Sequence, residues 1–76
     1  MKDLITMIAQ ALVDQPEDVS IVEIEGSHSS VLELSVAKSD LGRIIGKNGR
    51  TAQAIRTVLS AASGKARKHY RFEIVE

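Results

Sequence analysis

The chain has 76 residues, a formal net charge of zero and no cysteine. A chain this short buries only about 60% of its unfolded surface, so we expect one domain with a thin core over residues 1–76. The lack of cysteine excludes disulfides and thiolate metal sites. No apolar run approaches the ~20 residues that span a bilayer, and the N-terminus lacks a signal-peptide pattern. We therefore expect a soluble, cytoplasmic protein.

The first half of the chain predicts a helix and a hairpin. A helix over about residues 2–14 is indicated by apolar residues at three- and four-residue spacing: Leu4, Ile5, Ile8, Ala11 and Leu12. Pro16 ends it. Residues 22–25 and 32–36 alternate apolar with polar side chains, as half-buried strands do. The turn-forming residues 26–30 between them favour an antiparallel hairpin.

The second half predicts two helices around a glycine-containing loop. Ser39 suits the N-cap of a short helix. The apolar residues of that helix are Leu41, Ile44 and Ile45. After the loop, a helix over about residues 50–63 has the apolar stripe Ala52, Ile55, Val58, Leu59 and Ala62. Gly64 is placed to end this second helix.

The order of elements is completed by a last strand, in which Tyr70, Phe72 and Ile74 alternate with charged residues. The chain is therefore expected to be an α+β protein of order α-β-β-α-α-β. A two-helix crossover makes the second and third strands parallel if they are neighbours, with a right-handed connection. We expect a three-stranded mixed sheet with helices on one face.

Charge is divided unevenly along the chain. Residues 1–40 contain two basic and eight acidic side chains, whereas residues 41–76 contain eight basic and two acidic ones. Such a chain can present a basic face to a polyanion while it stays neutral overall. The alternative is that the two halves neutralise each other across the fold.

The most informative segment is the loop Gly46-Lys47-Asn48-Gly49, between two predicted helices. Its glycines permit unusual backbone angles and let a sugar-phosphate backbone approach closely. The following helix directs its free N–H groups and the positive end of its dipole at the loop, and Lys47 and Arg50 add charge. An anion is the expected occupant. A nucleotide-binding P-loop at Gly42 to Lys47 is disfavoured, because it needs four residues between its glycines and Ser or Thr after the lysine.

These features resemble the KH domain, whose glycine loop holds about four nucleotides of a single strand. The N-terminal helix and hairpin are similar to the type II form. Residues 42–62, with Ile-Ile-Gly-Lys-Asn-Gly-Arg followed by Thr-Ala-Gln-Ala-Ile-Arg, resemble the small stand-alone bacterial KH proteins of the KhpA family. The resemblance implies RNA binding, an RNA chaperone or post-transcriptional regulatory role, homodimerisation, and pairing with a larger KH protein of the KhpB type, also called Jag or EloR.

The resemblance also implies site residues. The loop residues Gly46, Lys47, Asn48 and Gly49 would hold the RNA backbone, and Arg50 and Arg43 would meet phosphates. The apolar wall for the bases would consist of Leu41, Ile44 and Ile45, with part of residues 31–37 opposite. Since the chain has only two aromatic residues, we expect modest affinity and loose base preference.

Several simpler interpretations stay open. At least one of Ile44 and Ile45 is expected in the core, and Arg56 is expected on the solvated face of its helix. Four more basic residues are explained by solubility as well as by RNA binding: Lys65, Arg67, Lys68 and Arg71. No catalytic, cofactor or metal site is predicted, since the carboxylates are unpaired and His28 and His69 lack further ligands at metal spacing. A second hypothesis is a protein-interaction subunit whose KH surface serves mainly for dimerisation.

Overall fold

The computed structural model describes residues 1–66 and 68–75, without the side chains of Lys65 and Ala66. The helices are α1 (Lys2–Leu12), α2 (Leu41–Ile45) and α3 (Arg50–Ala66), and the strands are β1 (Ser20–Glu25), β2 (Ser29–Ser35) and β3 (His69–Ile74). Short 3₁₀ turns occupy Pro16–Asp18, Lys38–Asp40 and Lys47–Gly49. The predicted order α-β-β-α-α-β is confirmed. Within this described part of the chain, no helix is long and apolar enough to cross a membrane.

The sheet has the order β1-β2-β3, as predicted. β1 is antiparallel to β2, with Ile21 opposite Leu34. β2 is parallel to β3, with Leu32 beside Phe72. The mixed three-stranded sheet leaves β3 as an edge strand.

The core lies between one face of the sheet and the helices. α1 packs over β1 and α3 over β3. The core residues are Ile5, Ala9, Ile21, Leu32, Leu34, Ile44, Ile55, Leu59 and Phe72. The predicted stripes are only partly buried, because Leu4 and Leu12 on α1 and Val58 on α3 are 36%, 39% and 43% exposed.

Two predicted helix ends are wrong. α3 continues through Gly64 to Ala66, because a glycine ends a helix when its backbone turns left-handed, and Gly64 is not among the glycines with positive φ. Ser39 is not the N-cap of α2, since a 3₁₀ turn precedes that helix and Asp40 takes the N-cap position. The Ser39 hydroxyl instead accepts a hydrogen bond from the Gln15 side chain at 3.3 Å.

Hydrogen bonds at the two ends of β3 show how the strand and α3 are oriented in the molecule. The N–H of His69 donates to the carbonyl of His28 at 3.2 Å, so β3 starts beside the hairpin turn. The N–H of Val75 donates to the carbonyl of Leu34 at 2.8 Å, so β3 ends where β2 leads toward α2. α3 therefore runs from the glycine-loop end of the molecule back to the hairpin end.

Candidate nucleic-acid interface

The glycine loop has a backbone that few sequences can adopt. φ is positive at Gly46 (77°), Asn48 (59°) and Gly49 (73°). Asparagine is among the non-glycine residues that tolerate this left-handed region best. Two short bonds close the loop, from the N–H of Gly46 to the carbonyl of Gly42 at 2.8 Å and from the N–H of Gly49 to the carbonyl of Gly46 at 3.0 Å. The sequence of the loop therefore matches its backbone position by position.

The two glycines of the loop have different surroundings. A β-carbon at position 46 would overlap Thr51, with the Thr51 β-carbon and backbone nitrogen both at 2.7 Å. At position 49 a β-carbon would have no atom within 4 Å. Gly46 is thus required by packing against the first turn of α3, whereas Gly49 leaves the outer surface of the loop open to a close approach.

Positive charge is concentrated at this open surface. Lys47, Asn48 and Arg50 are all exposed, and α3, which starts at Arg50, is 17 residues long. The N–H of Arg50 already donates to the carbonyl of Lys47, so the first turn of this long helix attracts an anion mainly through the positive end of its dipole. Among the described residues, no carboxylate forms an ion pair with Lys47 or Arg50. The loop can therefore accept an anion without first breaking an ion pair.

Arg43 is placed differently from the other predicted cations. Its Nη2 atom lies 2.9 Å from Oδ2 of Asp14, and its Nε atom lies 3.4 Å from Oδ1 of Asp40. The first ion pair links Arg43 to the connection between α1 and β1, and the second links it to the residue directly before α2. A phosphate at this position would compete with two carboxylates.

A cleft runs beside α2, where the sequence predicts an apolar wall. It is lined by Leu41, Ser35, Val36, Lys38 and Val75. Leu41 therefore faces the end of β2, which is the strand that the sequence placed opposite it. Ile45 is half-buried beside the loop. Ile44 is fully buried in the core, as expected of at least one of the two isoleucines, and its side chain does not line the cleft.

The comparisons with known proteins agree with this geometry. Residues 2–74 match the family model described as "KhpA/KhpB, KH domain". The chain belongs to the KhpA/KhpB KH-domain family. Its mixed sheet, its helix order and the position of its glycine loop are those expected of a type II KH domain.

Curated relatives match this KH domain along essentially its full length. The "RNA-binding protein KhpA" of Clostridium perfringens is 51% identical over 75 residues, which cover 99% of this chain and 100% of the relative. Proteins of the same name from Halalkalibacterium halodurans and Chlamydia caviae are each 47% identical over 76 residues, covering 100% of this chain and 100% and 97% of the relatives. No solved structure gives a significant match.

A buried aspartate that the sequence analysis did not single out holds α2 in this KH domain. Asp40 is 1% exposed. Its two carboxylate oxygens accept hydrogen bonds from the backbone N–H groups of Asp14 and Gln15 at 3.1 and 3.0 Å. An aspartate just before a short helix is a detectable signal, but these partners lie about 25 residues away in sequence and become visible only in the fold.

Two surfaces flank α3 on either side. On the α1 side is an apolar groove lined by Ile8, Leu12, Arg50, Thr51, Ala54, Ile55 and Val58. On the β3 side, Arg56 is exposed but lines a groove with Tyr70 and Phe72, so it does not simply project from the solvated face. Lys68 lines the continuation of this groove. The side chains of Lys65 and Arg67, two other predicted cations, lie outside the described residues.

Proposed function

We propose that this KH domain binds single-stranded RNA and acts as an RNA chaperone or post-transcriptional regulator. The observation that carries the proposal is the glycine loop, where three residues of positive φ place exposed cations at the start of a 17-residue helix. The curated relatives that share its full length are named RNA-binding proteins.

The backbone of the RNA would lie against the loop. Gly46 and Gly49 bring the main chain to the surface, while Lys47, Asn48 and Arg50 supply charge and hydrogen-bond donors there. Contacts of this kind hold phosphates without reading sequence. If about three phosphates are neutralised, affinity should fall roughly 16-fold between 50 and 200 mM salt.

The bases would enter the cleft beside α2. Leu41 forms its apolar side, with Ser35 and Val36 opposite, and the half-buried Ile45 lies in the same helix next to the loop. Arg43 has a lesser part, because its guanidinium already pairs with Asp14 and Asp40. Aliphatic side chains give less stacking than aromatic ones, so base preference should be loose.

Charge reversal at the loop tests this proposal. We expect the Lys47→Asp, Asn48→Asp variant to lose binding to a 12-nucleotide oligouridylate, measured by fluorescence anisotropy at 50 mM salt. Aspartate tolerates the left-handed backbone at position 48, so the fold should persist. The matched control is Lys2→Asp, Gln10→Asp, which makes the same net charge change at exposed positions of α1. Equal binding by both variants, or loss in the control alone, would overturn the proposal.

A second candidate function, as a protein-interaction subunit, is favoured by the apolar groove between α1 and α3. Leu12 and Val58 leave 39% and 43% of their surface exposed there, and Met7 on α1 is 63% exposed. Such a groove suits a second copy of the chain or a larger KH protein of the KhpB type. Under this alternative, a charge placed in the groove, as in Val58→Glu, would change the mass in light scattering. The loop variant would leave the mass unchanged, because Lys47 and Asn48 do not line the groove.

A further inference from the structure

The connection that follows α1 is joined to the start of α2 by a cluster of polar contacts. The carboxylate of Asp40 accepts hydrogen bonds from the backbone N–H groups of Asp14 and Gln15 at 3.1 and 3.0 Å. The Gln15 side chain donates to the hydroxyl of Ser39 at 3.3 Å. Nη2 of Arg43 donates to Oδ2 of Asp14 at 2.9 Å. These five residues form the α1–α2 polar cluster.

Arg43 lies on the side of α2 that faces away from the cleft proposed to hold the bases. Successive residues of an α-helix are about 100° apart around its axis, so Ile45 lies about 40° from Leu41, whereas Arg43 lies about 160° from it. Leu41 lines the cleft, and Arg43 is not among the described residues that do so. The Arg43 guanidinium instead meets Asp14 just after α1. Arg43 is therefore placed to hold α2 on the side opposite the cleft.

Asp40 is the centre of this cluster. Its side chain is buried, and Nε of Arg43 lies 3.4 Å from its Oδ1 atom, in addition to the two backbone donors. A buried carboxylate needs such donors to replace the water that it has lost. Moving α2 away from the end of α1 would leave both the carboxylate and the backbone N–H groups without partners, which is unfavourable. Asp40 therefore fixes the position of α2 relative to α1.

The glycine loop follows α2 directly, so the position of this helix sets the position of the loop. The N–H of Gly46 donates to the carbonyl of Gly42 in α2 at 2.8 Å. α2 has five residues, which are too few for a helix to be stable without tertiary contacts. Ile44 anchors α2 in the core, but one buried side chain does not prevent a short helix from turning about its own axis. The polar cluster supplies the further contacts that oppose this rotation.

We propose that Asp40 and Arg43 are positioning residues of the RNA clamp, which hold Leu41 and the glycine loop in their binding orientation without contacting the RNA. This inference rests on the proposed function and adds to it the residues that fix the geometry of the site. Two roles for Arg43 predict opposite effects of Asp14. If Asp14 competes with a phosphate for Arg43, removing its carboxylate strengthens RNA binding. If Asp14 helps Arg43 to hold α2, the same change weakens RNA binding.

The test is a titration of the ¹⁵N-labelled protein with a 5-nucleotide oligouridylate, followed by NMR at 50 and 200 mM salt. Asp14→Asn should weaken binding about threefold relative to Asp3→Asn, which makes the same net charge change at an exposed position of α1. Asp40→Asn should weaken binding about tenfold, because its amide group turns a donor toward one of the two backbone donors. In Arg43→Gln the log-log salt slope should stay near about −2, whereas loss of a phosphate contact would reduce its magnitude by about 0.7.

A control variant separates positioning from stability. Ile21→Val removes a methylene group from the core on β1 and should lower the midpoint of urea unfolding, as Asp40→Asn should. Ile21→Val should nevertheless bind the RNA like wild type when circular dichroism shows both variants to be folded. In the free protein, Asp40→Asn should shift the amide signals of residues 46–49, and Ile21→Val should not.

Binding by Asp14→Asn that equals or exceeds binding by Asp3→Asn would overturn the inference, as would a reduced salt slope in Arg43→Gln or unchanged affinity in Asp40→Asn. If Asp40→Asn does not fold, Asp14→Asn and Arg43→Gln carry the test. Failure of the underlying RNA function has a different signature. Wild type and all variants would then leave the RNA unbound, while the amide signals of residues 46–49 would still report whether Asp40 positions the loop.

Discussion

At the scale of single residues, the site depends most on Gly46. Its φ is 77°, and a β-carbon there would overlap the side chain and backbone of Thr51. Gly42 provides a contrast four residues earlier, since it lies in α2 without a positive φ, and a β-carbon added to it would meet no atom within 4 Å. Replacing glycine by alanine should therefore have opposite effects on stability at positions 46 and 42.

We expect Gly46→Ala to lower the free energy of unfolding by about 2–3 kcal/mol, since it combines an unfavourable φ with overlap. Gly42→Ala should raise it by about 0.5–1 kcal/mol, as alanine does in a helix. Urea unfolding of both variants measures the difference. Equal effects on stability would show that the loop does not hold the conformation described.

A second residue-scale prediction concerns Ser30, which is 1% exposed on β2. Its hydroxyl has no hydrogen-bond partner among the described residues. A buried unpaired hydroxyl is costly, so Ser30→Ala should stabilise the fold by about 1 kcal/mol. Ser29→Ala, at the exposed neighbouring position, should leave thermal unfolding unchanged. A destabilised Ser30→Ala variant would show that the hydroxyl has a partner.

At the scale of elements, α2 cannot be stable alone, since it has only five residues. Ile44 anchors it in the core, and Asp40 ties its start to the connection after α1. The hydrogen bonds of Asp40 hold α2 beside the glycine loop. The cleft at Leu41 therefore depends on the Asp40 carboxylate, although this group does not contact the proposed ligand.

We expect Asp40→Ala to cost about 2 kcal/mol of unfolding free energy, because two partly buried backbone N–H groups lose a charged acceptor. Arg43→Ala should cost less than about 1 kcal/mol, since the Arg43 and Asp14 side chains are 54% and 71% exposed. Chemical denaturation of the two variants checks both numbers. A larger loss for Arg43→Ala would mean that the ion pairs, rather than the backbone bonds, hold α2.

Much of this arrangement was predictable from local patterns. Periodicity located all three helices and all three strands, and turn chemistry identified the hairpin and the glycine loop. The N-cap of α2 and the end of α3 were missed because Asp40 bonds to residues about 25 positions away and Gly64 stays helical. Apolar spacing also could not separate the buried Ile44 from the half-buried Ile45, since that depends on which face α2 turns toward α3.

At the scale of the whole molecule, α3 organises three surfaces. The glycine loop precedes it, the apolar groove follows its α1 side, and the groove lined by Arg56, Tyr70 and Phe72 follows its β3 side. Arg50 lines the apolar groove and adjoins the loop. A partner on the apolar groove would therefore lie close to the glycine loop, the proposed RNA clamp, and would leave the groove on the β3 side of α3 uncovered.

Self-association through the apolar groove is tested by Val58→Glu. If wild type forms a dimer in light scattering, this variant should have the mass of one chain, because burying a carboxylate in an apolar interface is unfavourable. Thr57→Glu, at the exposed neighbouring position of α3, is the matched control and should remain a dimer. A dimeric Val58→Glu variant would place the interface elsewhere.

The most direct test of the central claim is an NMR titration of the ¹⁵N-labelled protein with the 5-nucleotide oligouridylate. The account predicts that the largest amide shifts occur at residues 46–50 and along α2, and that they weaken as salt is raised from 50 to 200 mM. Two results would contradict the assignment of the glycine loop as the RNA clamp: shifts confined to the α1 side of α3, or no shifts even at a large molar excess of the RNA.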